Sequence, residues 1–401
     1  MVQPQIAIID DGISEKFYSI EDLSNNLQIS PELHIHVRVS YDPFLPSHGT
    51  TCAAIIKKYA HDAVLSSVKI LNDNSHMGMK AQLITAINWC VENKINIVNL
   101  SLGTIDFKDF IEIETAIKNA YENGAIIIAA CNNRNIFTCP ASLKNVIGVR
   151  CDTSGKLKEG EYIYNPISPD GIEITACGSH KLLKYNGESK ITSNCNSFAT
   201  PFITALAYNI IKNNPNISFC ELKEVLKTKA IRHSFINCRK IKSILRVNSC
   251  LNNSIDVPII VVYNHGNRTY EFYEKITDRF RRNGYNAIAI VKESEEDLCN
   301  GRVPLKCYNN IRDSSFKVNI QGIFNIYDPD IIIVPIDMNK DSKAVYLKEL
   351  ESDLEVDIKI HIKNSEIEVL SSDESNETKT FTFSRDCQID DLYNYILSLF
   401  A

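Results

Sequence analysis

The chain has 401 residues, of which 44% are hydrophobic and 23% are charged, and its formal net charge is −6 at pH 7. These values are typical of an ordinary soluble globular protein with two or three domains. The negative net charge and the lack of a basic tract argue against binding to nucleic acid or to an anionic membrane surface, and no apolar run approaches the roughly 18–20 residues that cross a bilayer.

Predicted strands and helices alternate through the first half of the chain. Apolar runs predict strands at 5–9, 63–71, 95–103 and 124–131. Apolar residues at helical spacing predict helices at 48–60, 81–91, 109–122, 201–213 and 217–229. Such alternation indicates an α/β fold, in which a mostly parallel sheet has helices on both faces.

A second unit is predicted after residues 248–258, a segment that loses all periodicity and is the best candidate for a linker. Beyond it the pattern predicts strands at 259–263, 286–291 and 329–337, helices at 270–284 and 390–400, a hairpin formed by "VDIKIHI" and "EIEVL", and an acidic loop at 371–379. We therefore predict two domains, 1–250 and 257–401, the second a smaller α/β accessory domain.

Three polar residues stand where predicted strands end or predicted helices begin. Asp10 follows the first strand, His48 opens "HGTTCAAIIKKYA", and Ser197 lies in "TSNCNSFATPFITALA". Each has an ordinary explanation by itself, as a turn residue, a partly exposed polar residue or a helix N-cap. Because sites form at the carboxyl edge of parallel sheets, the sequence around each residue decides between these explanations and a common site.

Six motifs in chain order supply that context: "IAIIDDGI", "HGTTCAAI", "VNLSLG", "IIIAACNN", "CPAS…NVIGV" and "NSFATPFITALA". Together they resemble the subtilisin-like serine peptidases (subtilases), and the order Asp, His, Ser is the subtilisin order. The resemblance covers about residues 4–230 and implies a subtilisin-like α/β fold for this part of the chain. It implies nothing about the C-terminal domain.

The resemblance also implies a role for each matched residue. Ser197 would attack the scissile carbonyl, His48 would accept its proton, and Asp10 would hold the imidazole in the correct tautomer. The side-chain amide of Asn132 and the backbone N–H of Ser197 would stabilise the oxyanion. Ser101, Leu102 and Gly103 match the strand against which subtilases pair an extended substrate, mainly through main-chain hydrogen bonds.

Several residues depart from the family pattern. Asp11 replaces the Thr or Ser that is common in the family. Kexin-like convertases have the same local sequence, but the rest of the chain does not imply their dibasic specificity. Cys131 replaces the glycine of Ala-Ala-Gly-Asn, and Cys195 with Asn196 replaces Gly-Thr before the nucleophile. Both segments border the primary specificity pocket in the family. The added side chains of Cys131 and Cys195 therefore predict a narrow pocket for small P1 residues, or alternatively a degenerate, inactive site.

The remaining features concern compartment, cofactors and the second domain. The N-terminus lacks the pattern of a signal peptide and leaves no room for a prodomain, so the 13 cysteines are expected to be reduced thiols of a cytoplasmic protein. No acidic loop matches a calcium site, and we expect no metal or cofactor.

The second domain contains "HGN" at 265–267, a weak phosphate-site pattern that is more typical of a structural turn. Its expected role is to bind a recognition segment of the substrate or to mediate self-association.

The sequence thus predicts a serine endopeptidase that cleaves a restricted set of intracellular peptides, for example in removing leader peptides from precursors. Two alternatives stay open. One is a catalytically inactive peptide-binding protein with a subtilase fold, and the other is a general intracellular degradative protease.

Overall fold

A computed structural model describes residues 3–20, 23–72, 78–166, 168, 170–231, 256–265, 269–304, 316–338, 356–363, 366–371, 378–382 and 388–400. The chain divides into two compact units, Met1–Val247 and Asn248–Ala401. Most of the predicted linker lies outside the described residues, so the domain limits at 250 and 257 stay predictions.

The first unit is built on a nine-stranded sheet. Its strands are β1 (Gln5–Asp10), β2 (Asn25–Ile29), β3 (Ile35–Val37), β4 (Val64–Lys69), β5 (Ile97–Leu100), β6 (Ile126–Ala130), β7 (Val146–Cys151), β8 (Tyr162–Tyr164) and β9 (Ile174–Ala176). They lie in the order β3-β2-β4-β1-β5-β6-β7-β9-β8. All neighbours are parallel except the outermost pairs, β2 with β3 and β8 with β9. A separate two-stranded ribbon joins β10 (Lys181–Leu183) to β11 (Ser189–Ile191).

Helices cover both faces of this sheet, because its central strands are buried on both sides and need cover on each. The helices are α1 (His48–Tyr59), α2 (Lys80–Glu92), α3 (Phe110–Glu122), α4 (Asn196–Asn213) and α5 (Phe219–Lys229). Ile8 and Ile128 of the sheet pack with Ile55 of α1 and Phe202 of α4 in one core, while α2 contacts β1 and α3 contacts β6. The predicted α/β fold with a mostly parallel sheet is confirmed.

Two of the predicted boundaries differ from the structure by more than two residues. The strand predicted at 95–103 ends at Leu100, because the chain turns away to form an antiparallel bridge between Thr104 and Cys139. The helix predicted at 201–213 begins at Asn196 instead. The polar residues of its first turn hide the apolar periodicity there.

The second unit contains a seven-stranded sheet. Its strands are β12 (Ile259–Asn264), β13 (Ala287–Val291), β14 (Arg302–Pro304), β15 (Ile331–Asp337), β16 (Ile358–Lys363), β17 (Glu366–Ser371) and β18 (Thr378–Thr382), in the order β14-β13-β15-β12-β16-β17-β18. Its helices are α6 (Thr269–Arg282), α7 (Phe316–Tyr327) and α8 (Gln388–Ser398). The predicted hairpin is present as the antiparallel pair β16–β17.

Parts of this unit were not predicted from the sequence. Both α7 and β18 were missed, and β18 occupies the end of the predicted acidic loop. The glycine and asparagine of "HGN" lie outside the described residues. Among the helices that the structure describes, none is both long enough and apolar enough to cross a membrane.

Candidate active site

Asp10 and His48 meet at the carboxyl end of the central strand β1, where α1 begins. His48 Nδ1 lies 2.8 Å from Asp10 Oδ2 and 3.0 Å from Oδ1. Asp10 is 1% exposed. A carboxylate that directs both oxygens at one ring nitrogen requires the proton to be on Nδ1, so Nε2 is left as the basic nitrogen.

Asp11 holds the backbone of the same histidine. Its Oδ2 accepts the N–H of His48 at 2.9 Å and its Oδ1 accepts the N–H of Gly49 at 2.8 Å. Ser47, the N-cap of α1, accepts the N–H of Thr50. Gly49 permits this close approach, since a Cβ there would lie 2.7 Å from the carbonyl oxygen of Gly12. Both oxygens of Asp11 are therefore occupied by the start of α1, which the sequence did not reveal.

The pKa of His48 reflects opposing influences. Burial by itself lowers this pKa, whereas Cys52 and Asp10 raise it, and the net result is a pKa above its ordinary value of 6.5. Burial also raises the pKa of the Cys52 thiol, so this thiol is neutral at pH 7. The charge that favours the protonated imidazole is therefore that of Asp10.

Cys52 lies next to the imidazole of His48 and was not singled out from the sequence. Its Sγ is 3.9 Å from His48 Nδ1 and 3.4 Å from Ser101 Oγ. Asp10, His48 and Cys52 form the one group in the described part of the chain with ligand atoms close enough to hold a metal ion, within 4.8 Å of one another. The Asp10–His48 hydrogen bonds account for the arrangement, and we assign no metal to it.

Ser197 is the second residue of α4, so its N–H lies in the turn where helical N–H groups lack intrahelical partners. Its Oγ lies 3.4 Å from the carbonyl oxygen of Ser101, and Ser101 Oγ in turn donates to the Ser197 carbonyl at 3.0 Å. The described residues show no hydrogen bond between Ser197 Oγ and His48. In enzymes, hydrogen bonds between a nucleophile and its base are often long or poorly aligned until substrate binds.

The ring of Phe198 stacks on the imidazole of His48, with centroids 5.2 Å apart and planes inclined by 24°. The carbonyl oxygen of Phe198 also accepts a hydrogen bond from His180 Nε2 at 3.0 Å. These contacts fix the first turn of α4 beside the histidine. Sequence reasoning missed Phe198, although its position next to Ser197 was a signal.

The side-chain amide of Asn132 is oriented by its own loop. Its Oδ1 accepts the backbone N–H of Arg134 at 2.8 Å and that of Ile136 at 3.5 Å, and the backbone N–H of Asn132 donates to Thr138 Oγ1 at 3.0 Å. Because backbone donors define which amide atom is the oxygen, the other must be Nδ2. Nδ2 makes no hydrogen bond to any described residue and is free to donate.

Two of the candidate pocket residues are cysteines in different surroundings. Cys131 is 3% exposed, and its Sγ faces the carbonyl of Ile136 at 3.7 Å and Thr138 Oγ1 at 3.8 Å. Burial raises the pKa of its thiol to about 11. Cys195 is half-buried as the N-cap of α4 and approaches Ser193 Oγ.

The other candidate substrate residues lie after β5. Ser101 is buried and contacts Ser197, as described above. Neither Leu102 nor Gly103 has a backbone hydrogen bond to a described residue. This leaves the main chain of Leu102 and Gly103 open, as an edge that receives a peptide must be.

The chain also matches a known family. The family model described as "Subtilase family" matches residues 3–281, a longer stretch than the motifs cover. Subtilisin DY of Bacillus licheniformis is 24% identical over 241 residues, which are 56% of this chain and 83% of that protein. The M-protease of Shouchella clausii (strain KSM-K16) is 25% identical over 236 residues, 55% of this chain and 60% of that protein.

A similar solved structure is that of the nisin leader peptidase NisP from Lactococcus lactis. It has 16% sequence identity and a TM-score of 0.46, and the match covers 62% of this chain and 89% of that chain.

Proposed function

The chain belongs to the subtilase family of subtilisin-type serine hydrolases, and we propose that it is a serine endopeptidase with Asp10, His48 and Ser197 as its catalytic triad. The observation that carries this proposal is the approach of both Asp10 oxygens to His48 Nδ1. With its Nδ1 proton held by Asp10, His48 can accept the Ser197 proton only at Nε2.

In the proposed mechanism, Ser197 Oγ attacks the scissile carbonyl carbon while His48 Nε2 takes the hydroxyl proton. The negative charge on the carbonyl oxygen is met by Asn132 Nδ2 and by the N–H of Ser197. His48 then gives its proton to the leaving amine, and an acyl-enzyme remains. A water that loses its proton to His48 then attacks the acyl carbon, and His48 returns that proton to Ser197 Oγ as the ester bond breaks and the carboxylic acid product leaves.

We propose that the substrate's main chain pairs with Leu102 and Gly103. The open backbone of this segment supports the proposal, as does the direct contact of Ser101 with Ser197. Because main-chain pairing accepts any sequence, selectivity must come from side-chain pockets.

A restricted substrate range follows from the residues near the expected primary pocket. Side chains at Cys131 and Cys195, where the family has glycines, favour small P1 residues. We propose removal of leader peptides from precursor peptides as the reaction that such an enzyme performs, in a reducing compartment such as the cytoplasm. The nine described cysteines are all free thiols, which is compatible with such a compartment.

The experiment that tests this function is cleavage of a peptide library by the wild type, Ser197→Ala and Cys131→Gly. We expect turnover by the wild type with small P1 residues, none by Ser197→Ala, and a wider P1 range for Cys131→Gly. Turnover that survives in Ser197→Ala would contradict the triad. An unchanged P1 profile for Cys131→Gly would contradict the narrow pocket alone.

An inactive peptide-binding protein is the second candidate, because the Ser197 hydroxyl lies against Ser101 rather than His48. Binding of library peptides without any turnover would favour it. Efficient hydrolysis of unfolded casein would instead indicate a general degradative protease.

For the second unit we propose either binding of a substrate recognition segment or self-association. Light scattering of the full chain separates the two roles, since only self-association predicts a mass above that of one chain.

A further inference from the structure

We infer that Asn196 is a positioning residue that holds the Asn132 amide in place relative to the Ser197 hydroxyl. The inference rests on the proposed function and adds a residue to it. The subtilase pattern has threonine at this point, so the family's motif does not carry the role.

The side-chain amide of Asn196 is buried and has hydrogen-bond partners at both ends. The residue is 1% exposed. Its Oδ1 accepts the N–H of Cys151 at 2.7 Å, and its Nδ2 donates to the carbonyl oxygen of Asn132 at 2.7 Å. A weaker contact joins Nδ2 to Asn135 Oδ1 at 3.4 Å. A threonine would offer one polar atom where this amide offers two.

These bonds join three parts of the fold that carry the site. Asn196 is the first residue of α4, Cys151 is the last residue of β7, and Asn132 follows β6. On the sheet side the loop is anchored by the Cys131 N–H, which donates to the Val149 carbonyl at 2.8 Å. Asn196 supplies the link between the loop and the helix.

The link matters for the reaction because Ser197 directly follows Asn196 in the chain. The carbonyl of Asn132 and the Oγ of Ser197 are therefore held through one residue. An oxyanion donor works only within about 2.7–3.1 Å of the developing charge, and a shift of about 1 Å can cost roughly 10²-fold in rate. Loss of the Asn196 amide should therefore slow bond formation more than it weakens initial binding.

A merely structural role would also slow the reaction, so the test asks whether Asn196 acts through Asn132. The probe is a fluorophosphonate, whose rate of covalent reaction with Ser197 depends on the same oxyanion donors. We expect Asn196→Ala to lower the maximal labelling rate about tenfold or more, with at most about a twofold change in the probe concentration at half-maximal rate. In the Asn132→Ala background the same substitution should change the rate by less than about twofold.

Asn194 supplies a matched control in the same segment. Its Oδ1 accepts the Gly178 N–H at 3.0 Å and its Nδ2 donates to the Asp152 carbonyl at 2.7 Å, without a contact to Asn132. Asn194→Ala should change the rate by the same factor in both backgrounds. If circular dichroism shows that Asn196→Ala does not fold, Asn196→Thr replaces it in both the wild-type and the Asn132→Ala backgrounds.

Equal slowing by the Asn196 substitution in both backgrounds would overturn the inference and leave the proposed function standing. A wild type that shows no Ser197-dependent labelling would overturn the proposed function, and the inference with it.

Discussion

Two neighbouring carboxylates at the end of β1 act on the same histidine. Asp10 contacts the ring of His48, and Asp11 contacts its backbone N–H and that of Gly49. The ring contact sets the tautomer, whereas the backbone contacts stabilise the positive end of α1. A change at each aspartate therefore has a different expected effect.

For Asp10 the expected effect is on pH dependence. A general base must be unprotonated, so the raised pKa of His48 places the acid limb of the reaction above pH 6.5 in the wild type, with rates that rise as the pH rises. Asp10→Asn removes the charge that favours imidazolium, so the limb should move to lower pH and the plateau rate should fall by about 10⁴. Fluorophosphonate labelling rates over a pH series measure both effects, and an unmoved limb would contradict the assignment of Asp10.

For Asp11 the expected effect is on stability and rate together. Asp11→Ala leaves two N–H groups of α1 without acceptors and should cost about 1–2 kcal/mol in the free energy of unfolding, while labelling slows because His48 is less well held. Ser218, the N-cap of α5, accepts the N–H of Glu221 and supplies the control. Ser218→Ala should lower urea stability with no change in labelling rate. Labelling of Asp11→Ala at the wild-type rate would refute the positioning role of Asp11.

At the scale of elements, the segment after β5 depends on a close approach that only glycine allows. A Cβ on Gly103 would lie 2.7 Å from the Cys139 carbonyl oxygen and 3.0 Å from Thr138 Cγ2. Gly103→Ala should therefore displace the edge that pairs with a substrate and spare the triad.

We predict that Gly103→Ala slows labelling by a peptidyl phosphonate, which uses the edge, about tenfold more than labelling by a small fluorophosphonate. Gly187→Ala is the control, since Gly187 has φ +83° but no neighbour near an added Cβ. Its strain is local to the β10–β11 ribbon. Equal slowing with both probes would contradict the assignment of the edge.

The sequence predicted the strands before Asp10 and Asn132 from uninterrupted apolar runs, and the helix that begins at His48 from apolar residues at helical spacing. Prediction from the sequence failed where contacts between residues distant in the chain determine the local structure. The early start of α4 depends on polar residues whose partners are distant in sequence, as Asn196 with Cys151 shows. In the same way, nothing in "DDG" indicates that the second aspartate binds the start of α1. The identities of the triad candidates came from motif resemblance, whereas their mutual contacts required the structure.

At the scale of the whole molecule, each unit has its own hydrophobic core. Separate cores predict that unfolding is not two-state. Reaction of Ser197 with a fluorophosphonate should raise the temperature of one calorimetric transition and leave the other unchanged, because a ligand stabilises only the unit that binds it. A single transition that shifts as a whole would contradict independent folding of the two units.

The most direct test of the account is fluorophosphonate labelling of the purified wild type beside Ser197→Ala and His48→Ala, with the adduct located by mass spectrometry. We predict one phosphonyl group on Ser197 of the wild type and no labelling of either variant, because the nucleophile needs its base. Labelling of Ser197→Ala at the wild-type rate, or an unlabelled wild type, would contradict a working Asp10–His48–Ser197 triad.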